Sequence, residues 1–136
     1  MTVLPNPGLW ELLIHLKKWL TNLKRAGDQR KSESVAALRA VILACRQTTV
    51  YVRQLQATGT DHPTERDLSS IWTELGFALA DLGLTKLAKR CDITGRYWSN
   101  PHQFDGEFLD KADINLETME KMARQLLAGI DPTAEH

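Results

Sequence analysis

The chain has 136 residues, of which 43% are apolar and 25% are charged. This length suits one compact domain, and 8 glycines, 5 prolines and 2 cysteines are too few for a collagen-like, disordered or disulfide-scaffold chain. The 17 basic and 17 acidic side chains balance, so no overall field attracts the molecule to nucleic acid or to an anionic membrane. We therefore expect one domain over residues 1–136 that binds no nucleic acid tightly.

Cysteine use and hydropathy predict where the protein resides. Cys45 and Cys91 have no metal-binding spacing, which favours a reducing compartment. The longest strongly apolar run, Val41–Cys45, is far shorter than the roughly 18 residues of a membrane span. Residues 1–8 lack the basic start and the apolar stretch of a signal peptide. We therefore expect a soluble cytoplasmic protein without membrane contacts.

In the first half of the chain, apolar residues recur three and four positions apart, which is the period of a helix. Gly27 ends the first run. Ser32 or Ser34 is suited to cap the second run, which continues to Gly59 without a proline or glycine.

The third run has the clearest apolar stripe, with Trp72 at its centre as a predicted core residue. Thr64 followed by Asp67 is a variant of the capping box, and Gly83 is placed to end this helix. Beyond a short helix, Gly95 and later prolines and glycines indicate irregular structure.

These signals predict an all-α fold, because almost no segment alternates as a strand would. Short connections between long amphipathic helices make neighbours antiparallel, so we expect an up-and-down bundle of four main helices plus a short connecting helix. An irregular aromatic loop is expected at 92–112. The helices are predicted at residues 8–26, 33–58, 64–82, 85–91 and 114–128.

Three apolar side chains fall outside the predicted stripes: Leu43 and Val50 on the second helix and Phe77 on the third. They indicate an interface, and a symmetric homodimer is the commonest solution for such a surface. Two alternatives stay open: isolated surface apolar residues are ordinary, and another helix of the chain can cover them.

Arg39, Arg46 and Arg53 are spaced at seven along one flank of the second helix. Such a row can bind phosphates, but arginines beside an apolar seam more often cover it with their stems or pair with carboxylates across an interface. The chain is also uneven in charge, with a net of +4 over residues 11–31 and −5 over residues 105–136. These regions either pair within one fold or dock on a second copy.

Residues 84–100 contain a pattern that resembles the first helix and turn of a helix-turn-helix DNA-binding motif. Asp92 stands where that motif usually has a turn glycine, and Pro101 would end the recognition helix early. A degenerate DNA-binding module is therefore an alternative. The potential phosphate contacts are Lys86, Lys89, Arg90 and Arg96.

Arg96 and His102, separated by five residues, form a pair that resembles the active-site signature of the helical HEPN ribonucleases. The resemblance covers these two residues only. It implies that the arginine stabilises, and the histidine protonates or deprotonates, an RNA phosphodiester in a dimer cleft. A ribonuclease is therefore a second alternative.

Residues 95–108 concentrate aromatic side chains, including Tyr97, Trp98 and Phe104, next to polar ones. Aromatics and arginine anchor interfaces, so this stretch is a candidate binding loop. The alternative is structural, since a loop of this length also caps the end of a bundle.

No pattern predicts a metal, cofactor or nucleophile site. The four histidines are scattered, and no HExxH, CxxC or glycine-rich phosphate loop occurs. The leading hypothesis is a non-catalytic helical protein that acts through protein–protein contact, most simply by self-association.

Overall fold

The computed structural model describes residues 7–104, 106 and 115–130, and within them it has helices and no strand. This confirms the predicted all-α bundle. A single 3-10 turn, Pro101–Gln103, follows the fourth helix. The helices are α1 (Pro7–Leu23), α2 (Asp28–Thr58), α3 (His62–Asp81), α4 (Thr85–Ser99) and α5 (Leu116–Ile130).

The fourth helix corrects the sequence prediction. α4 is as long as α5, so the described residues form five substantial helices instead of four, and the loop expected from residue 92 begins only after Ser99. The error came from Gly95, which lies inside α4 and serves close packing rather than a turn. The Ser69 hydroxyl of α3 donates to the Gly95 carbonyl at 2.8 Å. Because α4 is continuous, the turn of a helix-turn-helix motif is not formed here.

The start of α2 was also predicted incorrectly. The helix begins at Asp28, and its N-cap is Gly27 in an extended conformation without a side-chain cap. Ser32 and Ser34 both lie inside the helix, where the Ser34 hydroxyl donates to the carbonyl of Arg30 at 2.8 Å. The early start makes α2, at 31 residues, the longest helix described.

The cap of α3 lies one turn before the predicted one. Asp61 is the N-cap, and its carboxylate accepts hydrogen bonds from the backbone N–H of Thr64 at 3.3 Å and from the Thr64 hydroxyl. Asp67 therefore plays no part in a capping box. Gly83, with φ of 85°, takes the left-handed conformation expected just after this helix.

Two buried tryptophans form hydrogen bonds between helices. Trp72 is fully buried, as predicted, and its indole N–H donates to the Thr48 hydroxyl of α2 at 2.9 Å. Trp19 of α1 donates to the Leu82 carbonyl at 2.8 Å, which gives a partner to a carbonyl at the end of α3. These bonds hold α1 and α2 against α3.

Contacts along α2 and α3 show that these helices are antiparallel: Tyr51 bonds to Glu65, near the start of α3, while Arg30 lies beside Gly83, just after its end. α3 and α4 pack most extensively. α2 thus has α3 on one side and α5, through Arg46 and Glu120, on the other.

Candidate interaction surface

The three apolar side chains that fall outside the predicted stripes are exposed, as expected. Leu43 is 58% exposed, Val50 is 62% exposed and Phe77 is 66% exposed. No other helix in the described residues covers them. They lie on the outer sides of α2 and α3, which are neighbours in the bundle.

The outer side of α2 carries a regular apolar seam. Ala36, Leu43, Val50 and Ala57 are spaced at seven, and all four are exposed. Among the described helices, only α2 is long and apolar enough to cross a membrane, which the short apolar runs in the sequence did not predict. Only 39% of its most apolar window is buried in the bundle. α2 is this apolar because it has apolar residues on both its buried and its outer side. This pattern is typical of a helix that is covered on all sides.

A groove of about 740 Å³ runs between α2 and α3 beside this seam. Its apolar lining includes Ala40 and Leu43 from α2, and Ile71, Leu75 and Ala78 from α3. Because alanines line both walls, the groove leaves room for the side chains of another helix. Charged residues stand along its rim: Arg30, Glu33, Glu74 and Asp81.

The predicted arginine row forms one border of this face. Arg39, Arg46 and Arg53 are exposed on the flank of α2 that is nearer to α5. The Arg46 Nε lies 3.6 Å from a carboxylate oxygen of Glu120, while the Arg46 side chain remains 63% exposed. The row is therefore partly engaged within the chain and still open to solvent.

The opposite border is acidic, and it was not predicted from the sequence. Asp67, Glu74 and Asp81 are exposed on α3 and are also spaced at seven. Phe77 lies beside this row, three residues after Glu74 and four before Asp81, which makes them neighbours on the helix surface. The equal spacing of the two rows is visible in the sequence, but only the packing of α2 on α3 places them on the two borders of one face.

The aromatic cluster packs within the chain and is partly buried. Trp98 is 6% exposed, so little of this predicted binding residue is accessible to a partner. Its ring packs edge-on against Tyr51 and Tyr97, with centroids 5.4 Å and 4.8 Å apart. Tyr97 and Phe104 are half-buried with centroids 6.1 Å apart. The rest of the expected loop, residues 105 and 107–112, lies outside the described residues.

Arg96 and His102 occupy separate elements, α4 and the 3-10 turn, and both side chains are exposed. Arg96 binds Asp92 one turn earlier, with the guanidinium 3.0 Å from the carboxylate. Arg96 is therefore paired within α4, although its side chain remains 69% exposed.

A buried polar network lies where α2 meets the start of α3. The Tyr51 hydroxyl donates to a carboxylate oxygen of Glu65 at 2.8 Å and accepts the backbone N–H of Asp61 at 2.9 Å. Tyr51 is 2% exposed and Glu65 is 9% exposed. Burial raises the pKa of Tyr51, and the Glu65 carboxylate raises it further, so the hydroxyl remains a donor.

Tyr51→Phe is expected to lower the free energy of unfolding by about 1–3 kcal/mol, because the Glu65 carboxylate loses its buried donor and the Asp61 N–H loses its acceptor. Urea unfolding followed by circular dichroism measures the loss. Glu65→Gln is the control, since its amide oxygen still accepts from Tyr51, and a smaller loss is expected. Equal losses for both variants would contradict this account.

Shifted pKa values also occur at two cysteines and one histidine. Burial raises the pKa of Cys45 to about 12 and raises that of Cys91 as well, so both thiols are protonated and unreactive at neutral pH. Burial, with Lys86 and Lys18 nearby, lowers the pKa of His15. No group of three potential metal ligands occurs within the described part of the chain.

Comparisons of the chain with family models, curated proteins and solved structures found no match. The face formed by α2 and α3 combines an apolar groove, three exposed large apolar side chains and charged borders of opposite sign. This combination of features is suited to binding a helical protein surface.

Proposed function

We propose that the protein is non-catalytic and acts through protein–protein contact, with self-association through the outer face of α2 and α3. The observation that supports this most strongly is the apolar groove lined by Leu43, together with exposed Val50 and Phe77 on the outer sides of the same two helices. Full burial of a side chain of this kind from water contributes about 1.5–3 kcal/mol, and more than half of each of these three is still exposed, so covering them in both copies favours a dimer.

A second copy is the occupant that fits this face. Its central apolar residues are bordered by arginines on α2 and carboxylates on α3, so the surface is complementary to itself in charge. Closed symmetric dimers use the same patch twice, which such a surface allows.

The test is the mass in solution of Leu43→Glu and of the wild type. We expect light scattering of the wild type at micromolar concentration to give about twice 15.4 kDa. Leu43→Glu is expected to give the monomer mass, because association would remove a carboxylate from water at a position where the wild type buries an apolar side chain. Helical content by circular dichroism should not change, since Leu43 is exposed within the chain.

Ile14→Glu is the matched control. Ile14 is 53% exposed on α1, away from the groove, so this variant adds the same charge at a similar exposure and should remain dimeric. A wild type that is monomeric at tens of micromolar would overturn the proposal. A dimer that tolerates Leu43→Glu would show that association uses another surface.

A further inference from the structure

We infer that the second copy docks with its two-fold axis parallel to α2 and α3, so that the arginine row of each copy pairs with the acidic row of the other. The inference rests on the proposed self-association and adds the geometry of the partner. It uses the residues on the two borders of the face: Arg39, Arg46, Arg53, Asp67, Glu74 and Asp81.

The two rows lie at matching levels along the bundle. Thr48 bonds to Trp72, and Tyr51 bonds to Glu65, which sets the antiparallel register of α2 against α3. When the alignments of α2 against α3 given by these two contacts are averaged, Arg46 is level with Trp72.

In the same register Arg53 is level with Glu65. Each arginine is therefore two residues, or about 3 Å of helix, from a carboxylate of the acidic row: Arg46 from Glu74, and Arg53 from Asp67. The third pair, Arg39 and Asp81, has the same offset, because both rows have a spacing of seven.

Symmetry then selects the orientation. A two-fold axis parallel to the helices keeps each level but exchanges the two borders, so arginines of one copy face carboxylates of the other. An axis across the helices keeps each border on its own side, so arginines face arginines and carboxylates face carboxylates. Like charges juxtaposed in an interface cost several kcal/mol, which disfavours the second arrangement.

The favoured axis also gives an antiparallel packing of helices across the interface. It places α2 of each copy antiparallel to α3 of the other, so the four helices form one antiparallel bundle across the interface. Phe77, beside the acidic row, then lies close to the other copy's arginines, and guanidinium groups stack well on aromatic rings. Phe77 is 66% exposed in the single chain, and in this dimer the arginines of the other copy pack on its exposed surface.

The experiment uses charge reversal on the two borders of the full chain. One variant is Arg46→Glu with Arg53→Glu, and the other is Asp67→Arg with Glu74→Arg. All four side chains are exposed, so the fold should persist in each variant. Because Arg46 also contacts Glu120, Arg53→Glu and Asp67→Arg are tested separately as a second pair that avoids this contact.

We expect each double variant to dimerise at least about tenfold more weakly than the wild type in sedimentation at low salt. Equimolar mixing of the two double variants should restore a dimer, now of one copy of each, and the variant with all four changes should dimerise with roughly the wild-type Kd. Wild-type association should weaken as salt rises from about 50 to about 500 mM, because exposed ion pairs are screened.

The outcomes separate this inference from the proposed function. If Leu43→Glu abolishes the dimer while both double variants associate like the wild type, the axis is wrong and self-association through this face stands. A wild-type dimer that strengthens with salt would also overturn the axis, since it indicates like charges in contact. A monomeric wild type would overturn both proposals.

Discussion

Trp72→Ala is expected to lower the free energy of unfolding by about 3–5 kcal/mol, the usual cost of truncating a large core aromatic. Trp72 is fully buried, so the change leaves a cavity that the neighbouring helices fill only partly. It also removes the indole N–H that Thr48 accepts at 2.9 Å. Urea unfolding monitored at 222 nm measures the effect.

Trp72→Phe separates the two contributions. Phenylalanine keeps most of the apolar contact but donates no hydrogen bond, so we expect an intermediate loss of about 1–3 kcal/mol. A loss below about 1 kcal/mol for Trp72→Ala would show that this region collapses around the cavity and that the core does not depend on the indole.

Gly95→Ala should destabilise the protein by about 1–3 kcal/mol, although alanine is the better helix former. A Cβ at this position would clash with the Thr73 hydroxyl and would lie 3.0 Å from the Thr73 backbone nitrogen and 3.1 Å from the Ser69 carbonyl oxygen. Backbone atoms cannot rotate away as a side chain can, so α4 has to move off α3. Thermal unfolding measures the change.

Gly129→Ala is the matched control. A Cβ there would come within 2.8 Å of a Leu20 methyl group, which can rotate to another position, so we expect a change within about 0.5 kcal/mol. Adding Thr73→Ala to Gly95→Ala should restore only part of the loss, because the two backbone contacts remain. Full recovery would place the whole cost on the hydroxyl.

The sequence predicted those features that depend on local periodicity. The apolar stripe of α3 correctly places Trp72 in the core, and the helical wheel correctly places Leu43 and Val50 outside. Both follow from residues within one helix, where the period of 3.6 fixes which side chains share a face.

The features that depend on contacts between helices were missed. Gly95 looked like a loop signal, because the close approach of Thr73 that requires a glycine is absent from the local sequence. The acidic row was overlooked for the same reason, since Glu74 becomes a border only when α2 packs beside it.

The buried network at Tyr51 has a consequence for the outside of the molecule. Apolar contacts between two helices are not directional, and a shift of one turn, about 5.4 Å, can repack them. Such a slide of α2 past α3 would separate the Tyr51 hydroxyl from Glu65 and the Trp72 indole from Thr48, leaving buried polar groups without partners. These bonds therefore fix the alignment of the two helices inside the core. The same alignment determines the pattern of charge that the surface displays.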